Sequence, residues 1–247
     1  MKTIVYVDGL NLYYGSLRGT VFKWLDLYSL FCSCILDGAE VEQVRYYTAP
    51  AKASSSDDPE SPARQQRYLR ALKAYHGERI QIVQGFIART TPILRLAQSP
   101  SGSQATVKAR VWQFTEKQSD VNLASDLISD ACHARSQQAV ICSNDTDLVG
   151  ALHAVKRDHP DVLMGLVAPV RESRQIARAL TNLTRWHKTL STEDLARSQL
   201  PERIPGTQLC RPAQWSECTG LVNQQATPSR ISPNVASTLT TKPEAAR

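Results

Sequence analysis

The chain has 247 residues, 42% hydrophobic and 21% charged, with 29 Lys and Arg against 23 Asp and Glu for a formal net charge of +6. That length suits one large domain, or one domain with an appendage, and a core that needs no staple of disulfides or metal. The composition is that of a soluble globular protein, and the apolar runs are far shorter than the ~20 residues of a membrane-spanning helix, so no membrane is expected as a partner. The basic balance permits a polyanionic partner without requiring one.

Residues 3–7 are a short apolar, β-rich run that stops at Asp8-Gly9, the pattern of a buried strand entering a tight loop. Asp8 interrupts that run too early for the apolar region of a signal peptide, so a cytoplasmic location is expected. Residues 25–36 carry apolar side chains at helical spacing. Residues 41–48 read as a second strand and 49–61 as a polar, mobile loop. Ser61-Pro62 reads as a helix start with Ser61 as N-cap, the helix running to about Tyr75. Residues 79–86 form a third strand. Residues 88–114, broken by Pro92, Pro100 and Gly102, read as an irregular hairpin-like excursion with 106–114 as an edge strand. In 120–135 the residues Val121, Ala124, Leu127, Ile128 and Ala131 recur at helical spacing. A fourth strand (138–143), a helix (145–157), a fifth strand (161–168) and a short helix (171–180) follow.

Strands alternating with helices imply an α/β fold with a parallel sheet covered on both faces. The main domain spans 1–200, and 201–222 is a C-terminal extension able to pack as an arm. Residues 223–247, rich in Thr, Ser, Pro, Ala and Gln, bury too little to offset their ordering entropy and are expected to be disordered. Cys32, Cys34, Cys132, Cys142, Cys210 and Cys218 form no C-x-x-C pair and have no His at zinc-ligand spacing, so they read as reduced thiols.

In an open α/β sheet, ligands bind beyond the carboxyl ends of the strands, at the switch in strand order. Asp8 ends the first strand, Asp145 and Asp147 follow the fourth, and Asp120 opens the helix before it. If the first and fourth strands are neighbours, the four carboxylates converge. Carboxylates within about 4–6 Å repel one another and draw a proton or a cation. A hard divalent cation fits, because it takes oxygen ligands and can polarise a phosphate. Each acid also has a plainer reading: Asp8-Gly9 as a strand-ending turn, Asp120 and Asp145 as helix caps, Asp147 as a first-turn acid.

Three segments carry a resemblance: Ile4-Val5-Tyr6-Val7-Asp8-Gly9-Leu10-Asn11, then Glu116-Lys117-Gln118-Ser119-Asp120-Val121-Asn122, then Val140-Ile141-Cys142-Ser143-Asn144-Asp145-Thr146-Asp147. In order and spacing they resemble the NYN domain family, a LabA-like branch of the PIN-like nuclease superfamily, over residues 1 to about 200. The resemblance implies a PIN-like Rossmannoid three-layer sandwich with a central, mainly parallel sheet. It implies Mg²⁺- or Mn²⁺-dependent cleavage of RNA, with Asp8, Asp120, Asp145 and Asp147 as catalytic and metal-holding acids. Asn11 would hold water or phosphate, Lys117 would neutralise phosphate charge, and Ser143 and Asn144 would orient the acids or donate to phosphate. Asp126 stands where many relatives carry His and others Asp. It falls on a largely different helix face from Asp120 and stays outside the site, with Asp130 expected to face solvent.

RNA is the expected partner, and a homo-oligomer stays open. Arg64, Arg67 and Arg70, then Arg171, Arg174 and Arg178, and also Lys108 and Arg110 are the candidate phosphate contacts, with solvated helix faces as the alternative. Tyr13 and Tyr14 beside the acids can stack on bases or pack. Two other functions stay open: a non-catalytic RNA-binding or regulatory module, and a hydroxylase of pyridine-type rings, as assigned to some similar chains. For the last, no G-x-G-x-x-G follows a strand.

Overall fold

The computed structural model describes residues 1–51, 58–95, 108–170 and 175–216. Its strands in chain order are β1 (Lys2–Asp8), β2 (Glu40–Thr48), β3 (Ile80–Gln84), β4 (Phe86–Thr90), β5 (Ile93–Arg95), β6 (Lys108–Arg110), β7 (Gln113–Lys117), β8 (Gln138–Cys142), β9 (Leu163–Ala168) and β10 (Trp186–Thr189). The helices are α1 (Gly9–Leu12), α2 (Leu27–Ser29), α3 (Ser61–His76), α4 (Ser119–Cys132), α5 (Val149–Asp158), α6 (Arg178–Thr181) and α7 (Thr192–Arg197).

Six strands form one sheet in the order β10-β9-β8-β1-β2-β3, every pair parallel. β1 sits at its centre, and its side chains alternate between the faces as the period of two requires. Val5 and Val7 enter a core with Leu72 of α3, Leu195 of α7 and the fully buried Trp24, while Ile4 and Tyr6 enter a second core with Leu123 and Leu127 of α4 and Leu152 of α5. The result is the expected three-layer α/β sandwich. Chain order reverses between β1 and β8, so the crevice where ligands bind in such sheets opens beyond their carboxyl ends.

Several elements differ from expectation for identifiable reasons. Ser61 does not cap α3: Glu60 holds that position without a side-chain bond, and Pro62 sits in the first turn. The third strand stops at Gln84, and Phe86 starts a separate antiparallel pair, β4 with β7, beyond which β5 pairs with β6. The excursion is thus a two-stage hairpin arm, and its return strands lie apart from the main sheet rather than on its edge. Of the expected helix at 171–180, residues 175–177 are not helical and α6 spans Arg178–Thr181, while 171–174 lie outside the described residues. β10 was not expected, because its Trp-His-Lys-Thr run is an exposed edge strand without an apolar signature. Helical winding is loose at two places, where Arg18 N donates to Tyr13 O at 2.7 Å and Leu36 N to Phe31 O at 2.9 Å, both five residues back.

Residues 201–216 pack on the body: Trp24 Nε1 donates to Pro201 O at 2.9 Å, Ile204 is buried, and Trp215 packs on Trp24 and Tyr68. The tail at 223–247 and Cys218 lie outside the described residues. Among the described residues no helix is long and apolar enough to cross a membrane.

Asp130 is not solvent-facing. It is 1% exposed between α4 and the sheet, accepting from Tyr6 Oη at 2.7 Å and pairing with Arg45 Nη1 at 2.8 Å and Arg135 Nη1 at 2.9 Å. Arg45 is itself buried, so removing the carboxylate strands a charge. Asp130→Ala is expected to cost about 3–5 kcal/mol in urea unfolding. Arg135→Ala, whose side chain is 52% exposed, is expected to cost about 1 kcal/mol or less.

Candidate metal centre

β1 delivers Asp8 to the crevice and is followed at once by α1. Asp8 is the N-cap of that helix, accepting from Asn11 N at 2.9 Å. Gly9 has to be glycine here, because a Cβ would lie 2.7 Å from both the Tyr46 ring and Tyr47 O. Gly15 is as constrained: its Cβ would meet Pro169 O at 1.8 Å, so the turn after α1 closes tightly onto the loop after β9.

β8 lies beside β1, with Cys142 opposite Val7, so the next residue, Ser143, arrives beside Asp8. The Ser143 hydroxyl is completely buried, donates to Asp8 Oδ2 at 2.9 Å and accepts from Asp145 N at 3.0 Å. Asp145 caps the turn that follows, accepting from Asp147 N at 3.0 Å. On the opposite side Gln118, at φ 81, turns the chain into α4. Ser119 N donates to Glu116 Oε1 at 2.9 Å, and Asp120 projects from the first turn.

The expected convergence therefore forms for three of the four acids. Asp8, Asp120 and Asp145 each place a carboxylate oxygen within 4.8 Å of the others. Asp147 is exposed and stands outside that group, although its charge still reaches Asp120. Capping and convergence coexist in Asp8 and Asp145. None of the salt bridges among the described residues involves any of the four acids. Asp126 stays outside, bonded to Tyr47 Oη at 2.8 Å.

The electrostatics follow from crowding. Burial pushes the Asp120 carboxyl up to about 6, helped by Asp8, Asp145, Glu116 and Asp147. Burial also raises Asp8, against the pull of its bonds from Asn11 N and Ser143. Tyr46 and the Cys142 thiol beneath are pushed up by burial and then by Asp8, so they stay neutral. A compact all-oxygen donor set with no internal cation fits a hard divalent ion.

The remaining candidates take definite places. Asn11 Oδ1 accepts from Asn144 N at 3.0 Å, tying the two acid-bearing loops together. Asn144 Oδ1 accepts from Ala177 N at 2.8 Å and fastens the segment before α6. Both also line the open cavity of about 360 Å³ above the acids, with Tyr14, Pro169 and Val170. Ser143 takes the first of its two expected roles, orienting the acids, since its one donor goes to Asp8 Oδ2. Lys117 is exposed at the end of β7 and lies outside the cavity wall. Glu116 lines the cavity and was not expected as a site residue. Its signal was a carboxylate four residues before Asp120, hidden because the β7 strand that positions it has no clear period.

The NYN domain family matches residues 2–187. The protein named 6-hydroxy-3-succinoylpyridine 3-monooxygenase HspA from Pseudomonas putida is 34% identical over 236 residues, covering 87% of this chain and 75% of that protein. A crystal structure of a protein of unknown function from Vibrio parahaemolyticus aligns with 81% of this chain and 96% of its own at 18% identity, with a TM-score of 0.46.

The raised Asp120 pKa has a stability consequence. Between the ordinary 3.8 and about 6 the folded chain holds a proton there that the unfolded chain has lost, so folding weakens as pH rises through that window. In EDTA, Asp120→Asn is expected to match the wild type in Tm near pH 4 and to exceed it progressively up to about pH 6, then by a constant margin. A margin independent of pH would contradict the crowding.

Proposed function

The chain belongs to the NYN domain family, whose fold is nuclease-like, and on that premise we propose that it is a metal-dependent endoribonuclease. The observation that carries the reading is the meeting of Asp8, Asp120 and Asp145 at the switch point of the sheet, unneutralised by any side-chain cation among the described residues. These three hold Mg²⁺ or Mn²⁺, with Asp147 adding negative charge from the rim. The ion supplies the Lewis acidity for hydrolysis of a phosphodiester by water. Ser143 keeps Asp8 and Asp145 in register, and the Asn11–Asn144 tie keeps their loops from separating.

The arm beside the crevice supports a polyanionic substrate. Residues 86–117 carry Arg89, Arg95, Lys108, Arg110 and Lys117 against Glu116 alone, a net +4 of the +6 on the chain. Arg95 pairs directly across from Lys108, and Ile93 from Arg110, so like charges sit together on one face. Such a pair destabilises a bare hairpin and is relieved by an anion. Phe86 and Trp112 are exposed on the same arm, and Arg89 stacks on Trp112 at 4.4 Å. RNA as the partner, and the cytoplasm as its location, belong to this proposal.

The name of the Pseudomonas putida relative supports a second reading, hydroxylation of a pyridine-type ring. The donor set argues against it: the acids stand without a histidine, whereas non-haem iron oxygenases use two His and one carboxylate. The first loop also lacks the glycine spacing of a dinucleotide site. An absorbance scan of the purified protein separates the two, since a coloured cofactor belongs only to the second.

Labelled single-stranded and structured RNAs are expected to be cut with Mg²⁺ or Mn²⁺ and left intact in EDTA. Asp145→Asn keeps an oxygen for Asp147 N, so it is expected to fold as the wild type yet lose about 100-fold or more in rate. Intact RNA from a folded wild-type protein under every metal condition would shift the reading to a non-catalytic RNA-binding module. Lys108→Glu with Arg110→Glu is expected to weaken RNA binding and to reduce the slope of log K against log salt by about 1–2.

A further inference from the structure

Beside the acid crevice lies a second cavity of about 400 Å³, within the ~300–1,000 Å³ usual for small-ligand sites. Leu10 and Tyr14 line both cavities, so the two are neighbours across one thin wall.

Its chemistry differs from that of the crevice. One side is aromatic: Tyr46, Tyr68 and Trp215 line it, and their rings stand edge to face, Tyr46 to Tyr68 at 6.5 Å and Tyr68 to Trp215 at 6.1 Å. Tyr13 and Tyr14 stand at the mouth, 36% and 58% exposed, in edge contact at 5.2 Å. Arg18, Lys23, Arg64 and Asp58 are also among the described residues that line it. Arg64 pairs with Asp58 and, at 3.8 Å, with Glu60. Lys23 is half-buried and takes part in no salt bridge among the described residues. Burial and then the Arg64 guanidinium lower its pKa, against the opposing pull of the Asp58 carboxylate. An aromatic wall beside a half-buried lysine that forms no salt bridge among the described residues matches a planar ring that bears an anionic group.

We infer that this pocket is a nucleotide subsite, in which the base lies among Tyr13, Tyr14 and Trp215 and the phosphate meets Lys23. The inference rests on the ribonuclease reading for its choice of ligand. It adds that one nucleotide of the strand is held across the Leu10–Tyr14 wall from the acids. Held there, the strand is anchored by a ring and a charge rather than by sequence-reading hydrogen bonds. That arrangement tolerates any base, because every base has a π-face.

The test uses the EDTA-treated full chain, so the acid centre takes no part. Adenosine 5′-monophosphate is titrated by calorimetry and by tryptophan fluorescence, beside adenosine and nicotinate. The expected result is saturable binding of the nucleotide, weakened about tenfold by Lys23→Gln and severalfold by Tyr13→Leu, with adenosine weaker than either nucleotide titration in wild type. Lys23→Gln keeps most of the apolar stem, and its thermal melt reports whether it folds. The proposal is overturned by absent saturation, by Lys23→Gln binding as tightly as the wild type, or by nicotinate binding as tightly as the nucleotide. If RNA is cut while the nucleotide does not bind, the pocket assignment falls alone. If the nucleotide binds through Lys23 while no metal supports cleavage, the pocket stands and the ribonuclease reading falls.

Discussion

Three carboxylates held within 4.8 Å of one another, with no side-chain cation beside them among the described residues, are the constraint on which this structure turns. Repulsion of that kind has to be offset by packing, and the sheet supplies it. β1 and β8 run side by side at the centre, flanked by core on both faces, and end together in Asp8 and Ser143. One buried hydroxyl then fixes the spacing of Asp8 and Asp145. Gly9 and Gly15 allow the backbone to approach Tyr46 and Pro169 closely enough to keep the acids at the edge.

The other buried acids of the chain show the contrast. Asp130 has two arginines and a tyrosine hydroxyl. Asp26 is bonded to His76 at 2.7 Å and to Ser29. Despite burial it is held below its ordinary range. Those acids are paired within the fold. Asp8 and Asp120 move the other way, upward, because what surrounds them is burial and more negative charge. The same fold that pairs Asp26 and Asp130 leaves the acids of the crevice with no salt bridge among the described residues.

Much of this was legible in the sequence where one physical signal dominates. Apolar runs mark β1, β8 and β9 because buried parallel strands have few polar residues, β2 shows through Val41, Val44 and Tyr46, and the order of strands and helices implies three layers. Asp8, Asp120, Asp145 and Asp147 are legible as an edge cluster if β1 and β8 are neighbours, and the structure brings the first three within 4.8 Å of one another. Elsewhere two signals competed. β10 is exposed at three of its four residues and carries no apolar signature. The arm has neither period, since short antiparallel pairs outside a core carry little apolar pattern. Asp130 looked solvent-facing because a charge on a helix usually is, and only Arg45 of β2, far away in sequence, explains its burial. The sequence leaves Ser143 two roles, orienting the acids or donating to phosphate, because the Asp8 carboxylate that takes its proton comes from another strand.

The acid centre, the basic arm and the aromatic pocket lie around one crevice, each with a different chemistry, and the acid centre governs the other two. Its central claim is that the three carboxylates hold a divalent cation. Electron paramagnetic resonance of Mn²⁺ titrated into the metal-free protein reads this without any substrate. The account predicts saturable Mn²⁺ binding displaced by Mg²⁺, and its loss in a folded Asp120→Asn protein. Free Mn²⁺ signal undiminished by the folded wild type, or binding unchanged by Asp120→Asn, would contradict it.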